Sequence, residues 1–280
     1  MLLQAGPSQP GAGRSYRPDL LDPSDWFAVP IRVQGHGGED EAVPLTANTF
    51  AEAIEVGCRV RAGTAKAMAG RGLTTALVAD EGELARPLDS NRRSLDLIVE
   101  GFERAGFIPG THVGIAVDVA ANQLMNQNRY RLRSEGRELE PSAWIDALLM
   151  WCRDYPIVSV EDPLAEDEWT QWSTLTRIVA HDSTGVRQVI GDDLFATNLD
   201  RVRRGVATGA CTGVLVKPNQ AGTVSRARAV LDFAHEHCLA TVLSARSGDT
   251  EDTWLADLAV GWRAGQIKVG STMRSERTAK

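Results

Sequence analysis

A chain of 280 residues that is 43 % hydrophobic and 24 % charged has enough apolar material for a sizeable core, which excludes a disordered tail. The net charge of −7, from 30 Lys and Arg against 37 Asp and Glu with no basic stripe, excludes a nucleic-acid or anionic-membrane surface but is compatible with a bound cation. No apolar run, Ala143 to Cys152 included, approaches the roughly 20 residues that cross a bilayer.

Residues 1–25 carry Gly, Pro, Ser and Arg without a continuous apolar stretch, so they read as a flexible arm and not as a signal peptide, and the expected location is cytoplasmic. Residues 26–33, Trp-Phe-Ala-Val-Pro-Ile-Arg-Val, read as a first strand. Thr49 followed by Glu52 is a capping-box pattern that opens a helix over about 49–68, with Phe50, Ile54, Cys58 and Ala62 at helical spacing. Further helices follow from Leu95, Ile98, Phe102 and Ala105, from Trp144, Leu148 and Trp151, and from Val224, Ala227, Leu231, Ala234 and Cys238. Between them stand short apolar runs at Ala76–Ala79, Val113–Val117, Ile157–Val160, Val189–Ile190, Gly213–Val216, Ala240–Leu243 and Gln266–Ile267, the pattern of strands buried on both faces. Alternating strands and helices at this spacing predict βαβ units and a parallel sheet. With the first strand, they predict one TIM-type (β/α) barrel over residues 26–280. The four cysteines, Cys58, Cys152, Cys211 and Cys238, have no CxxC spacing and read as reduced core residues. Trp151, Trp169, Trp172, Trp254 and Trp262 read as barrel packing.

Charge stands directly after each strand: Asp80, Glu81, Asp118, Glu161, Asp162, Asp192, Asp193, Lys217, the Ser244–Ser247 segment and Lys268. A parallel barrel points all its strand C-termini at one mouth, so these groups are expected to converge there. Asp118, Glu161 and Asp192 on consecutive strands would repel one another unless a cation held them, and Mg2+ suits a few carboxylates with positions left open for substrate oxygens. The alternative is a carboxylate array balanced by Arg or Lys alone. Lys217 and Lys268 would lie near that cation, and positive surroundings would lower a lysine toward the neutral form that a general base requires.

Several segments resemble the enolase (phosphopyruvate hydratase) family. They are Val-Ser-Val-Glu-Asp-Pro-Leu (158–164), Gly-Asp-Asp-Leu-Phe-Ala-Thr-Asn (191–198), Val-Leu-Val-Lys-Pro-Asn-Gln-Ala-Gly (214–222), Ser-Gly-Asp-Thr-Glu-Asp-Thr (247–253), Gly-Gln-Ile-Lys-Val-Gly (265–270) and Arg-Ser-Glu-Arg (274–277). Upstream segments at 48–53, 79–82 and 114–120 are similar to the family too. The resemblance implies a barrel of the enolase C-terminal domain kind, and a hydro-lyase that removes water from 2-phosphoglycerate or a close phosphonate analogue. It implies Asp118, Glu161 and Asp192 as Mg2+ ligands, Lys217 as the base that takes the proton beside the substrate carboxylate, Lys268 as the group that binds that carboxylate, and Glu81 as general acid. It implies Arg246 and Ser247 as contacts of the phosphorus oxyanion, with His36 and Glu39 as counterparts of the family's lid residues. The implied partners are a small phosphorylated or phosphonylated carboxylate and a second copy in a homodimer.

Departures from the family pattern bear on activity. Ala245 stands where the family has a histidine, and the segment before Pro44 is shorter. The family's N-terminal α+β domain and the helix after the lysine strand have no counterpart in these residues. Altered phosphorus-side residues suit the branch similar to carboxyphosphonoenolpyruvate synthase, while a missing lid suits an impaired relative that binds a ligand or partner without turnover.

Overall fold

The structure, a computed structural model, describes residues 29–31, 39–85, 88–181 and 185–280. The expected arm at 1–25 and His36 lie outside the described residues, and of the expected first strand only β1 (Val29–Ile31) is described. A second strand that the apolar pattern does not predict follows, β2 (Glu39–Pro44). Thr49 then caps α1 (Phe50–Gly70): its hydroxyl accepts from the Glu52 amide at 3.2 Å, while the Glu52 carboxylate accepts from the Asn48 amide at 2.7 Å. Helix α2 (Asn91–Arg104) lies against α1 so closely that a methyl at Gly63 or Gly101 would collide with the other helix.

From there the expected alternation holds: β3 (Val113–Asp118), a small antiparallel insertion of β4 (Met125–Asn126), β5 (Arg129–Leu132) and β6 (Arg137–Leu139), α3 (Pro141–Asp154), β7 (Ile157–Glu161), α4 (Trp169–His181) and β8 (Gln188–Gly191). The second half continues with α5 (Leu199–Thr208), β9 (Gly213–Val216), α6 (Pro218–Ala221), α7 (Val224–Glu236), β10 (Ala240–Ser244), α8 (Trp254–Gly261), β11 (Gln266–Lys268) and α9 (Ser275–Thr278). Among the described residues no helix is long and apolar enough to cross a membrane.

The main sheet has eight strands in the order β1-β2-β3-β7-β8-β9-β10-β11. From β3 onward every pair is parallel, as expected, whereas β1–β2 and β2–β3 are antiparallel. The sheet curls far enough that Lys268 on its last strand lies 3.0 Å from Glu41 on β2. Among the described residues, no ladder joins β11 to β1. Ala76–Ala79 is not one of the eight strands. Leu77 and Val78 are half exposed, and a lone bridge from Val78 to Leu84 closes a tight turn at whose tip Gly82 takes a φ of 87°. Glu81 therefore sits in that turn and not at a strand end.

Helices cover the outer face of the sheet with one large apolar core that includes Phe102, Ile115, Trp144, Trp172, Val214 and Leu231. The inner face holds a smaller cluster of Ile190, Leu215 and Val242. Trp151, Trp169 and Trp172 are buried as expected and Trp262 packs half-buried against the core, but Trp254 is exposed. All four cysteines are free, and only Cys152 and Cys211 are buried; Cys58 and Cys238 are exposed, so the core reading fails for them.

Strand β2 alternates between the two faces. Ala42 points outward into the helical core, while Glu41 and Val43 line an interior cavity. Asp40, also outward, is buried and accepts a hydrogen bond from Ser94 on α2. Burial pushes its carboxyl up to about 7, with the Ser94 bond lowering it and the Glu41 charge raising it. An acid raised in the native state keeps a proton that the unfolded chain has lost, so stability falls as pH rises from about 4 through about 7 and stays low above that. Asp40→Asn, which cannot ionise, is expected to flatten this fall, gaining roughly 2–3 kcal/mol on wild type between pH 5 and pH 8. Urea unfolding of both proteins across that range checks it, and parallel pH profiles would refute it.

Candidate active site

Lys268 ends β11 and is buried, with its ammonium 2.9 Å from Glu161, 3.0 Å from Glu41, 3.2 Å from Asp118 and 4.0 Å from Glu39. These partners come from three strands. Register explains their convergence: Asp118 on β3 stands opposite both Glu39 on β2 and Glu161 on β7, so the antiparallel strand brings its first residue to the same end of the sheet where the parallel strands finish. Lys217, which follows β9, pairs instead with Asp192, which follows β8. The structure therefore brings Asp118 and Glu161 together on Lys268 and puts Asp192 on Lys217, with both lysines standing among the three expected metal ligands.

Five carboxyl groups here face two ammonium groups, and burial is the largest influence on the raised carboxyls. Burial raises Glu161 well above the usual carboxylate range, and the Asp118 charge adds to it. Burial also raises Asp192 and Glu41, against the lowering pull of their lysines. It pushes Glu39 up to about 8. Burial alone would lower both lysines, yet the carboxylates outweigh it: Asp192 and Glu161 raise Lys217, and Asp118, Glu161, Glu41 and Glu39 hold Lys268 well above its usual value. For Lys217 the lowering influences, burial and the nearby Lys268 ammonium, are outweighed by the Asp192 and Glu161 charges.

The fit of a divalent cation rests on unsatisfied oxygens. Glu161 Oε1 and Asp192 Oδ1 are buried and accept no hydrogen bond, on two neighbouring strand ends that also repel each other. A buried carboxylate oxygen left this way is costly, and a hard cation satisfies it. Two tighter acidic groupings flank this region: Asp162, Asp192 and Asp193 on one side, and Glu39, Glu81 and Glu83 on the other. Asp162 also organises the backbone, since its carboxylate accepts from the amides of Asp192 at 3.0 Å and Asp193 at 2.7 Å. The backbone is strained in the segments that follow three of the strands, with positive φ at Ala120 (47°) after β3, at Asp162 (41°) after β7 and at Ala196 (46°) and Thr197 (49°) after β8. Each such residue costs on the order of 1 kcal/mol, and strain of this kind collects where a site requires it.

On the far side, Glu81 is buried and accepts from the Ser247 hydroxyl at 3.2 Å. The structure brings these two expected site residues together, although Arg246 and Ser247 are largely exposed. Sequence reasoning missed the residue that ties this corner together, Arg277. Its guanidinium is fully buried and donates to the backbone carbonyls of Arg246 (2.9 Å), Val269 (3.3 Å) and Ser247, and it lies 3.6 Å from Glu81. Its place in the Arg-Ser-Glu-Arg segment was the available signal. Glu41 was missed as well. Three acids in a row before Ala42 obscured the strand, though period-two alternation would have put Glu39 and Glu41 on one face.

Fold and site together define an α/β protein of the TIM-barrel class with a carboxylate and lysine cluster at the strand ends. The model of the family described as enolase, C-terminal TIM barrel domain, matches residues 39–280. The chain belongs to the enolase family and carries its C-terminal TIM barrel domain.

Removing the buried Arg277 fork would strand several carbonyls and the Glu81 charge. Arg277→Met is expected to lower unfolding stability by about 3 kcal/mol, with Arg277→Lys recovering only part because it lacks the planar fork. Chemical unfolding of the two variants checks this, and a loss below about 1 kcal/mol for the methionine variant would contradict it.

Proposed function

We propose that the chain is a magnesium-dependent hydro-lyase of the enolase type, eliminating water from 2-phosphoglycerate or a close phosphonate analogue to give an enolpyruvate product. The observation that carries this reading is the placement of Lys217 and Lys268 among Asp118, Glu161 and Asp192, with one oxygen each of Glu161 and Asp192 unsatisfied. Family membership supports the same chemistry.

Asp118, Glu161 and Asp192 would hold the magnesium ion, which supplies the positive charge that stabilises the substrate carboxylate as it becomes a dianion. Lys217 would take the proton from the carbon beside that carboxylate. It can do so only as the free amine, and Asp192 is the group that now keeps it charged, so engagement of Asp192 elsewhere is a condition for the base to work. Lys268 would bind the carboxylate and support its growing charge. Glu81 would give a proton to the departing hydroxide, so that water leaves as the carbon–carbon double bond forms. Arg246 and Ser247 would contact the phosphorus oxyanion with charge-assisted hydrogen bonds. A cytoplasmic setting and a homodimer are part of the same proposal and rest on the resemblance alone.

Ala245, buried where a polar histidine is expected, favours the phosphonate branch similar to carboxyphosphonoenolpyruvate synthase, or an impaired relative that binds without turnover. Purified protein with Mg2+ is expected to raise the absorbance of the enol product from 2-phosphoglycerate or its carboxyphosphono analogue, and Lys217→Ala to lower kcat roughly a thousandfold while the far-UV spectrum is unchanged. An active Lys217→Ala variant would refute the base. Silence with both substrates, together with a thermal shift by Mg2+ and a phosphonate inhibitor, would establish the binding reading instead.

A further inference from the structure

Glu41 takes no part in the chemistry above, yet of the four carboxylates around Lys268 its side chain is the least exposed, at 3 % against 9 % for Glu39, 10 % for Glu161 and 18 % for Asp118. Register explains why. Glu41 stands opposite Ala116, two residues short of Asp118, so it meets the ammonium from one layer deeper inside the curled sheet. The pair lines a cavity of about 20 Å3 whose other walls include Asp118 and Glu161 as well as Val43 and Val242.

An ammonium this deeply buried cannot lose its counter-ions without a large desolvation penalty. Two of its three close partners, Asp118 and Glu161, are the residues assigned above to a divalent cation. Once they turn to that cation, Glu41 at 3.0 Å is the close partner that remains, since Glu39 is at 4.0 Å and gathers with Glu81 and Glu83. We propose that Glu41 is a positioning residue, the counter-ion that holds Lys268 in place when Asp118 and Glu161 engage the metal. This role rests on the reading of those two residues as metal ligands. Without Glu41, Lys268 would cling to Asp118 and Glu161 and compete with the cation for them, so metal affinity becomes the property to measure.

The experiment is calorimetric Mg2+ titration of four full-length proteins: wild type, Glu41→Gln, Lys268→Met and the double variant. Glu41→Gln is expected to weaken Mg2+ binding about tenfold or more when Lys268 is present, the size of effect typical for partners behind metal ligands, and to change it less than about twofold in the Lys268→Met background. Equal weakening in both backgrounds would overturn the proposal, because Glu41 would then act on the cation through its charge alone. No weakening beside an intact Lys268 would overturn it too. If Glu41→Gln does not fold by far-UV circular dichroism, Glu41→Asp, which keeps the charge one methylene shorter, replaces it and is expected to give a smaller loss with the same dependence on Lys268. A wild-type chain that takes up no Mg2+ would instead refute the metal reading itself, and this role with it.

Discussion

A buried ammonium surrounded by four carboxylates is the interaction on which the described site depends. Lys268 sits at the end of the last strand, and its partners come from β2, β3 and β7, so the ion cluster spans the curled sheet from one side to the other. Taking these charges out of water is unfavourable unless geometry and charge are matched. They are not fully matched: carboxyl groups outnumber ammonium groups, and burial raises Glu39, Glu41, Glu161 and Asp192 in spite of the lysines beside them. Such an excess is stable only with added protons or an added cation. A divalent cation of the kind proposed above would meet that requirement.

The architecture serves this requirement in two ways. Parallel strands from β3 to β11 deliver Asp118, Glu161, Asp192, Lys217 and Lys268 to one end, and the antiparallel β2 delivers Glu39 to the same end with its first residue instead of its last. The second contribution is backbone strain held by packing and hydrogen bonds. Left-handed residues follow β3, β7 and β8, and the Asp162 carboxylate secures the chain after β8 by accepting from the amides of Asp192 and Asp193. Around the corner, Arg277 binds the carbonyls on which Arg246 and Ser247 are carried and places a positive charge near Glu81. The Glu81 side and the Lys217 side of the site are thereby built on separate supports.

Two particulars of the site bear on the proposed chemistry. Ala245 removes a polar group beside the expected phosphorus site, and Glu41 adds a carboxylate inside the sheet.

Much of this was legible along the chain, because helices and doubly buried strands write their own periods and the residues after each strand carry charge. The periodicity of Val224–Glu236 and the Thr49 cap predicted their helices; the apolar runs from Val113 to Ile267 gave the parallel strands; and the motifs named Asp118, Glu161, Asp192, Lys217 and Lys268. Strand β2 escaped because three acids in succession contradict the pattern of a buried strand, and only partners far away in the chain, Lys268 and Ser94, make that burial tolerable. Ala76–Ala79 misled for the opposite reason: an apolar run with no neighbouring strand to pair with becomes a turn. The sequence by itself determined which groups stand at the strand ends. Only the tertiary structure decided that Lys217 is paired with Asp192 and that Lys268 is shared among four acids, since a charge's partner and its pKa depend on distances across the sheet and on burial, neither of which local sequence encodes.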